Sequence, residues 1–217
     1  MKKLRNNLTY LWSDYKWILL ACLVVLGLVA HFALTALTQK ETAVYAMLID
    51  CHTDTPQKTF EADALRALEL DPGLYRAQIE TGLMFTDTES GSYAMTSLSR
   101  FLADIGSGKL DICAMPEEEF VKYDRSGTWT DLRKVFPEPA REDSSRESRQ
   151  EGEPSPDAFL IRDGRVIGMY ADRLPALAAY GCYENPESRG VVGILYNAPH
   201  SENAAAYLRW LGKETEE

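Results

Sequence analysis

The stretch Ser107-Gly-Lys-Leu-Asp-Ile-Cys-Ala-Met-Pro-Glu-Glu-Glu-Phe120 is the part of the sequence that best predicts the fold. Gly106 lies where a left-handed helix cap belongs, and the apolar run from Leu110 to Met115 has the length of a buried strand. Pro116 and the acids after it favour a new helix, because proline suits the first helical turn and acids suit its positive end. The stretch therefore predicts a buried strand between two helices.

Strand and helix signals also alternate on the amino-terminal side of this stretch. Ala43 to Asp50 and Ala77 to Phe85 are strand-like, and the helix between them begins near Thr59 and ends at Asp71-Pro-Gly73. The helix before Gly106 carries apolar side chains at helical spacing, which are Ala94, Leu98, Phe101, Leu102 and Ile105. This alternation predicts an α/β domain with a mostly parallel sheet and helices on its faces.

A long apolar segment lies near the start of the chain. Residues 17–37, WILLACLVVLGLVAHFALTAL, contain no Asp, Glu, Lys or Arg and would span about 30 Å as a helix. The segment is longer than the apolar part of a cleaved signal peptide, and Cys22 lies too deep within it for a lipoprotein signal. It therefore predicts a single uncleaved transmembrane helix.

The charges around this segment predict its orientation. Four bases and one acid precede it, so the positive-inside rule places the tail of residues 1–16 in the cytoplasm. The domain of residues 42–217 is then expected to be extracytoplasmic at the cell membrane. It carries 18 Lys and Arg against 31 Asp and Glu, a balance that argues against binding of nucleic acid or anionic lipid by charge.

The cysteines of this domain carry little information. Cys51, Cys113 and Cys182 are an odd number without the spacing of a disulfide framework or a zinc site. Buried thiols are the simplest interpretation, and one disulfide with one remaining thiol is left open. Cys51-His-Thr-Asp54 with His200 has the residue types of a metal site but not the ligand spacing, so no metal and no cofactor is predicted.

Several motifs occur in the order found in extracytoplasmic solute-binding proteins of transport systems. Phe101 to Cys113, Phe120-Val-Lys-Tyr123 and Gly127-Thr-Trp-Thr-Asp-Leu132 resemble the region of that family where a strand carries an aspartate and a short helix precedes a Gly, hydrophobic, Asp-Leu turn. Asp163 to Tyr170 resembles the family's returning strand, and residues 191–211 resemble its closing strand, polar loop and last helix. The resemblance implies a periplasmic-binding-protein-like fold, of the type that delivers solutes to ABC transporters.

The chain departs from that family where a second lobe would be inserted. Residues 138–156, EPAREDSSRESRQEGEPSP, stand there and are too polar to bury a core, so they predict a flexible loop. The resemblance then implies a degenerate single-lobe form. Such a form lacks the opposing wall that encloses a small ligand.

Candidate ligand-binding residues follow from the predicted sheet. Open α/β sheets bind ligands beyond the carboxyl ends of their strands, and these loops contain Asp50, Ser90, Ser92 and Glu117. Serines before a helix also act as caps, and acids suit a helix start, so a purely structural interpretation stays open.

The sequence predicts a binding protein rather than an enzyme. It shows no strained nucleophile turn and no hydrolase-like arrangement of histidines. We expect a membrane-anchored module for protein interaction or scaffolding at the cell surface. An exposed apolar patch that involves Tyr170, Leu174, Tyr180 or Tyr183 would favour this function. The alternative is a weak solute-binding component of a transport or sensing system. Under either function, the expected partners of the protein are the membrane, another protein or transporter subunit, or a small solute.

Overall fold

The computed structural model of the protein describes residues 17–18, 20–32, 39–86, 91–136, 156–183 and 189–213. The chain divides into two compact units, Met1–Lys40 and Glu41–Glu217. The predicted tail of residues 1–16 lies outside the described residues. So does the loop predicted over residues 138–156, except for Pro156.

The structure contradicts the transmembrane helix predicted over residues 17–37. Within the ranges given above, no helix is both long and apolar enough to cross a bilayer. Residues 19 and 33–37 lie outside the described residues.

The second unit alternates strands and helices, as the sequence predicts. The three strands predicted before Glu117 are confirmed, with bounds that differ by up to two residues from those expected. The elements are β1 (Glu41–Ile49), α1 (Gln57–Ala67), β2 (Tyr75–Leu83), α2 (Ser92–Gly106), β3 (Ile112–Pro116), α3 (Glu117–Asp124), β4 (Phe159–Arg162), β5 (Arg165–Tyr170), α4 (Pro175–Ala179), β6 (Gly190–Ile194) and α5 (Ser201–Leu211), with short 3-10 helices at Leu132–Lys134, Pro156–Ala158 and Ala171–Arg173.

The prediction of a mostly parallel sheet is wrong, because the sheet is mixed. The six strands are ordered β2-β1-β3-β6-β5-β4. β1 pairs in parallel with β2 and with β3, whereas β3 with β6, β6 with β5, and β5 with β4 are antiparallel pairs. The β4–β5 hairpin accounts for one of these antiparallel pairs, since its turn residues Asp163 and Gly164 have φ angles of 47° and 71°, the left-handed conformation of a type I′ turn.

Helices cover both faces of this sheet, and each face has its own apolar core. Successive side chains of a strand point to opposite faces, so Val44, Ala46 and Leu48 of β1 enter one core while Met47 and Ile49 enter the other. The first core packs against α1, α4 and α5, and the second against α2 and α3. The domain is therefore a three-layer α/β/α sandwich.

The end of α2 differs in detail from the prediction. Gly106 is the last residue of the helix, and Gly108 is the glycine that adopts the left-handed conformation, with a φ of 61°. A side chain at Gly108 would be strained there whatever space surrounds it. This turn sends the chain from α2 back into the sheet as β3.

Candidate binding pocket

A pocket of about 590 Å³ lies beside the amino-terminal halves of β1 and β2. Its size falls within the range of about 300 to 1,000 Å³ that is usual for small-molecule sites. Its wall is formed by the last turns of α2, the turn that follows that helix, and the loop before α5. The lining residues are Thr42, Tyr45, Arg76, Gln78, Arg100, Ala103, Asp104, Gly108, Lys109, Pro199 and His200.

Tyr45 connects the sheet to the helical wall of this pocket. Its hydroxyl oxygen lies 2.9 Å from Asp104 Oδ2 and 3.2 Å from Glu80 Oε1. Burial raises the pKa of Tyr45, and the hydrogen bond to Asp104 and the nearby charge of Glu80 raise it further. The phenol therefore stays protonated near neutral pH and acts as a hydrogen-bond donor to a carboxylate.

Three cations and one acid, Asp104, line the pocket, although the whole chain carries a net charge of −10. Arg100 is neutralised, since it pairs with Glu80 and lies 3.9 Å from Asp104. Arg76 donates from Nε to Thr42 Oγ1 at 3.0 Å, and across the described ranges neither Arg76 nor Lys109 has an acidic partner. Two cations that make no ion pair among the described residues favour the approach of an anion to this pocket.

His200 is held in the pocket wall by a buried carboxylate. Asp111 has no solvent exposure, and its Oδ1 accepts a hydrogen bond from the His200 backbone N–H at 2.7 Å. Asp111 Oδ2 accepts from the backbone N–H of Tyr45 at 2.8 Å and lies 3.0 Å from His200 Nδ1. Because Asp111 is bound to one ring nitrogen, the other nitrogen of this 30% exposed side chain is left for solvent or a ligand.

The position of Asp111 follows from the pairing of the strands. Its backbone N–H donates to Tyr45 O on β1, and its carbonyl accepts from Leu195 N immediately after β6, both at 2.9 Å. The aspartate is thus fixed between two strands before β3 begins. The chain that leaves β6 then returns to it at His200.

The described residues that were predicted to bind ligand are not among those that line this pocket. Asp50 follows β1 at the carboxyl end of the sheet, where its Oδ1 accepts from Phe85 N and Thr86 Oγ1, both at 2.9 Å. It connects the ends of β1 and β2 and is largely buried. Asp50 is therefore engaged in holding two loops together, although its Oδ2 has no hydrogen-bond partner among the described residues.

Of the other three predicted residues, the structure describes Glu117 and Ser92. Glu117 begins α3 and accepts a hydrogen bond of 3.4 Å from the Tyr170 hydroxyl. Ser92 is the exposed first residue of α2, and its carbonyl accepts from Thr96 Oγ1. Ser90 lies outside the described residues. The structure brings Asp50 together with Thr86 but shows no hydrogen bond that links Asp50, Ser92 and Glu117.

Sequence reasoning missed three side chains that line the pocket. Arg76, Lys109 and His200 come from β2, from the turn after α2 and from the loop before α5. The sequence offered only a weak indication that these residues lie near one another. Lys109 and Asp111 stand on either side of a residue predicted to start a strand, and His200 precedes a predicted helix.

Comparison of the chain with protein-family models, with characterised proteins and with solved structures finds no match. The resemblance to solute-binding proteins therefore stays a prediction from the motifs quoted above. The geometry and charge of the pocket are the basis for a functional proposal.

Proposed function

We propose that the domain is a non-catalytic binding module whose pocket holds a small anionic solute. The observation that carries this proposal is that Arg76 and Lys109 line a pocket of about 590 Å³ and make no ion pair among the described residues. This proposal corresponds to the solute-binding alternative that the sequence left open. The predicted site was at the carboxyl ends of the parallel strands, whereas the pocket lies at their amino ends.

The cationic groups favour a carboxylate or phosphate as the recognised chemical group. A guanidinium presents parallel N–H donors that match two oxygens of such an anion, whereas an ammonium acts as a point charge. Arg76 uses Nε for Thr42, so its terminal nitrogens are the ones available to a ligand. The nitrogen of His200 that faces away from Asp111 adds a further polar contact.

The surroundings of His200 favour binding over nucleophilic catalysis. A histidine that activates a serine, threonine or cysteine lies within hydrogen-bond reach of that side chain. In the described part of the chain, His200 bonds only to Asp111 through its ring and backbone N–H, and its carbonyl accepts from Ala204 N. We therefore assign His200 to ligand contact rather than to activation of a nucleophile.

The apolar patch expected for an interaction module is not formed by the four residues named for it. Leu174 and Tyr183 are buried. The Tyr170 ring is covered by the Arg189 guanidinium at 3.6 Å, and Tyr180 packs on Phe60 with ring centroids 4.3 Å apart.

Protein interaction remains a second candidate function because of a different surface. Met95 and Leu102, seven residues apart on α2, are 63% and 50% exposed. Residues at this spacing share one helix face. If the surface binds a second copy of the chain, replacing both residues with Gln lowers the mass measured in solution. A wild-type chain that stays monomeric at high concentration rules out this self-association.

Calorimetric titration of the full chain tests the anion proposal. Inorganic phosphate, citrate and glutamate serve as anionic probes, with glucose and lysine as neutral and cationic comparisons. We expect saturable binding of at least one anion and roughly tenfold weaker binding in Arg76→Gln and in Lys109→Gln. Lys58→Gln, which removes the same charge from the exposed surface of α1, is the matched control.

Two results would overturn the proposal. One is the absence of heat or of a melting shift with every anion while the chain is folded. The other is equal weakening by Lys58→Gln and Lys109→Gln, because a general effect of net charge would then explain the binding.

A further inference from the structure

The Cys51 and Cys182 side chains meet inside the domain. Their Sγ atoms lie 3.1 Å apart although the residues are separated by 131 positions in the chain. Cys51 follows β1, Cys182 follows α4, and both side chains are buried. The sulfurs are not bonded to each other, but an approach of about 1 Å would bring them to the bond length of a disulfide, about 2.05 Å.

Hydrogen bonds hold the two cysteine-bearing loops together on both sides of the sulfurs. The Tyr183 hydroxyl donates to Ile49 O at 2.8 Å. On the other side, the hydroxyls of Thr53 and Thr55 both donate to Tyr180 O, the latter at 3.3 Å. The folded backbone therefore keeps the two cysteines adjacent, which is the arrangement that a disulfide between them needs.

The third cysteine of the domain is excluded from this pair by the sheet. Cys51 and Cys182 belong to the core that packs against α1, α4 and α5, whereas Cys113 of β3 belongs to the core on the opposite face. The odd number of cysteines, which left the pairing open in the sequence, is thus divided into a neighbouring pair and one separate thiol.

We propose that Cys51 and Cys182 form a structural disulfide when the chain meets a disulfide oxidant, such as oxidised glutathione or the oxidised active site of a dithiol oxidoreductase. The thiolate of one cysteine attacks a sulfur of the oxidant, breaks its S–S bond and releases one thiol. The thiolate of the second cysteine then attacks the sulfur of the first cysteine in this mixed disulfide and releases the second thiol of the oxidant. Two electrons and two protons pass from the cysteines to the two released thiols.

The environment of the sulfurs suggests when this reaction occurs. The hydrogen bond to Cys182 and burial both raise the pKa of Cys51, which disfavours the nucleophilic thiolate in the folded domain. Bond formation is therefore expected chiefly while the two loops are open, as during folding. Once formed, the bond is shielded from reductants by the same burial.

Peptide mapping of the full chain tests the proposal directly. The reduced chain is unfolded, refolded in a mixture of reduced and oxidised glutathione, alkylated, and digested without reduction. We expect a cross-linked peptide pair that contains Cys51 and Cys182, with Cys113 recovered in its alkylated form. Refolding the Cys22→Ser chain in parallel removes the exposed thiol that would join two chains.

Thermal melting of the chain refolded with and without a reductant gives a second readout. A bond that closes a loop of this length is expected to raise the melting temperature by about 10 to 20 °C. The reductant-dependent difference should persist in Cys113→Ser and vanish in Cys182→Ser, whatever either substitution does to the reduced protein. Alkylation of both Cys51 and Cys182 in refolded protein, or a bond from either residue to Cys113, would overturn the proposal.

Discussion

Asp111 accepts hydrogen bonds from both the backbone N–H and the ring of His200, at 2.7 and 3.0 Å. The carboxylate has no solvent exposure, and its third bond comes from the backbone N–H of Tyr45. One side chain therefore connects β1, the entrance to β3 and the loop before α5. The same connection sets the position of the histidine in the pocket wall.

Replacing this carboxylate with an amide should destabilise the domain. In Asp111→Asn, an NH₂ group must face at least one of the N–H donors that the carboxylate now accepts from. We expect the free energy of unfolding to fall by about 1 to 3 kcal/mol, because a buried donor loses its partner. Urea unfolding of the full chain measures the change. Asp54→Asn, at an exposed position, is the control, and equal effects of the two substitutions would contradict the prediction.

The part of the fold that was predictable is the part with local signals. β1, β2 and β3 are recognisable from apolar runs between turn residues, and α1 and α2 from apolar spacing. The antiparallel half was missed because the order of strands in a sheet depends on pairing between distant segments. A local signal did exist there, since Asp163-Gly164 between two apolar runs is typical of a hairpin.

The site was less predictable than the fold. The rule that ligands bind beyond the carboxyl ends of parallel strands pointed to Asp50, which the structure shows bonded to the loop after β2. The pocket instead combines Arg76, Lys109 and His200, which are brought together only by the folded chain. No local pattern contains all three, so their proximity could not be read from spacing.

Asp131, in the segment after α3, provides a prediction about acid stability. Asp131 Oδ1 accepts hydrogen bonds from Arg133 Nε at 3.0 Å and from Val166 N at 3.3 Å. The hydrogen bond from the Arg133 side chain is the main cause that lowers the pKa of Asp131, and the backbone N–H groups of Arg133 and Val166 add to it. The ionised carboxylate is therefore favoured in the folded domain.

A lowered pKa in the folded state gives stability above the unfolded pKa, and this stability is lost as the pH falls through the folded pKa. We expect Asp131→Asn to be less stable than the wild type at pH 6 to 7. The difference should shrink below about pH 4, where the unfolded chain already binds the proton. Urea unfolding at several pH values tests this. A stability difference that stays constant across the whole range would count against it.

Two glycines of the sheet make room for the aromatic pair beneath it. The rings of Phe120 and Trp129 are stacked with centroids 3.9 Å apart, and Trp129 Nε1 donates to Phe120 O. A Cβ at Gly193 would lie 2.5 Å from Phe120 Cζ and 3.1 Å from Ile167 O, and a Cβ at Gly168 would lie 3.0 Å from the same Phe120 atom. The ring therefore occupies space that any side chain at these positions would need.

Gly193→Ala is expected to cost about 1 to 3 kcal/mol of unfolding free energy, because the stacked rings must shift to admit the methyl group. Gly82→Ala in β2 is the matched control, since a Cβ there meets nothing within 4 Å. Its effect should stay within about 0.5 kcal/mol. Near-ultraviolet circular dichroism should change with Gly193→Ala, as the environment of Trp129 is altered. Equal stabilities for the two variants would show that the core adapts without cost.

The charge of the proposed pocket makes its affinity for an anion dependent on salt. Arg76 and Lys109 lie at a solvent-accessible site, so added salt screens their attraction for the anion. We expect the dissociation constant of the anion found by titration to rise steadily between low and about 0.5 M sodium chloride. In the double variant Arg76→Gln/Lys109→Gln the salt dependence should be markedly weaker, whereas Lys58→Gln should retain it. A dissociation constant that does not change with salt would mean that apolar or neutral contacts dominate, and the positive charge would no longer explain the function of the pocket.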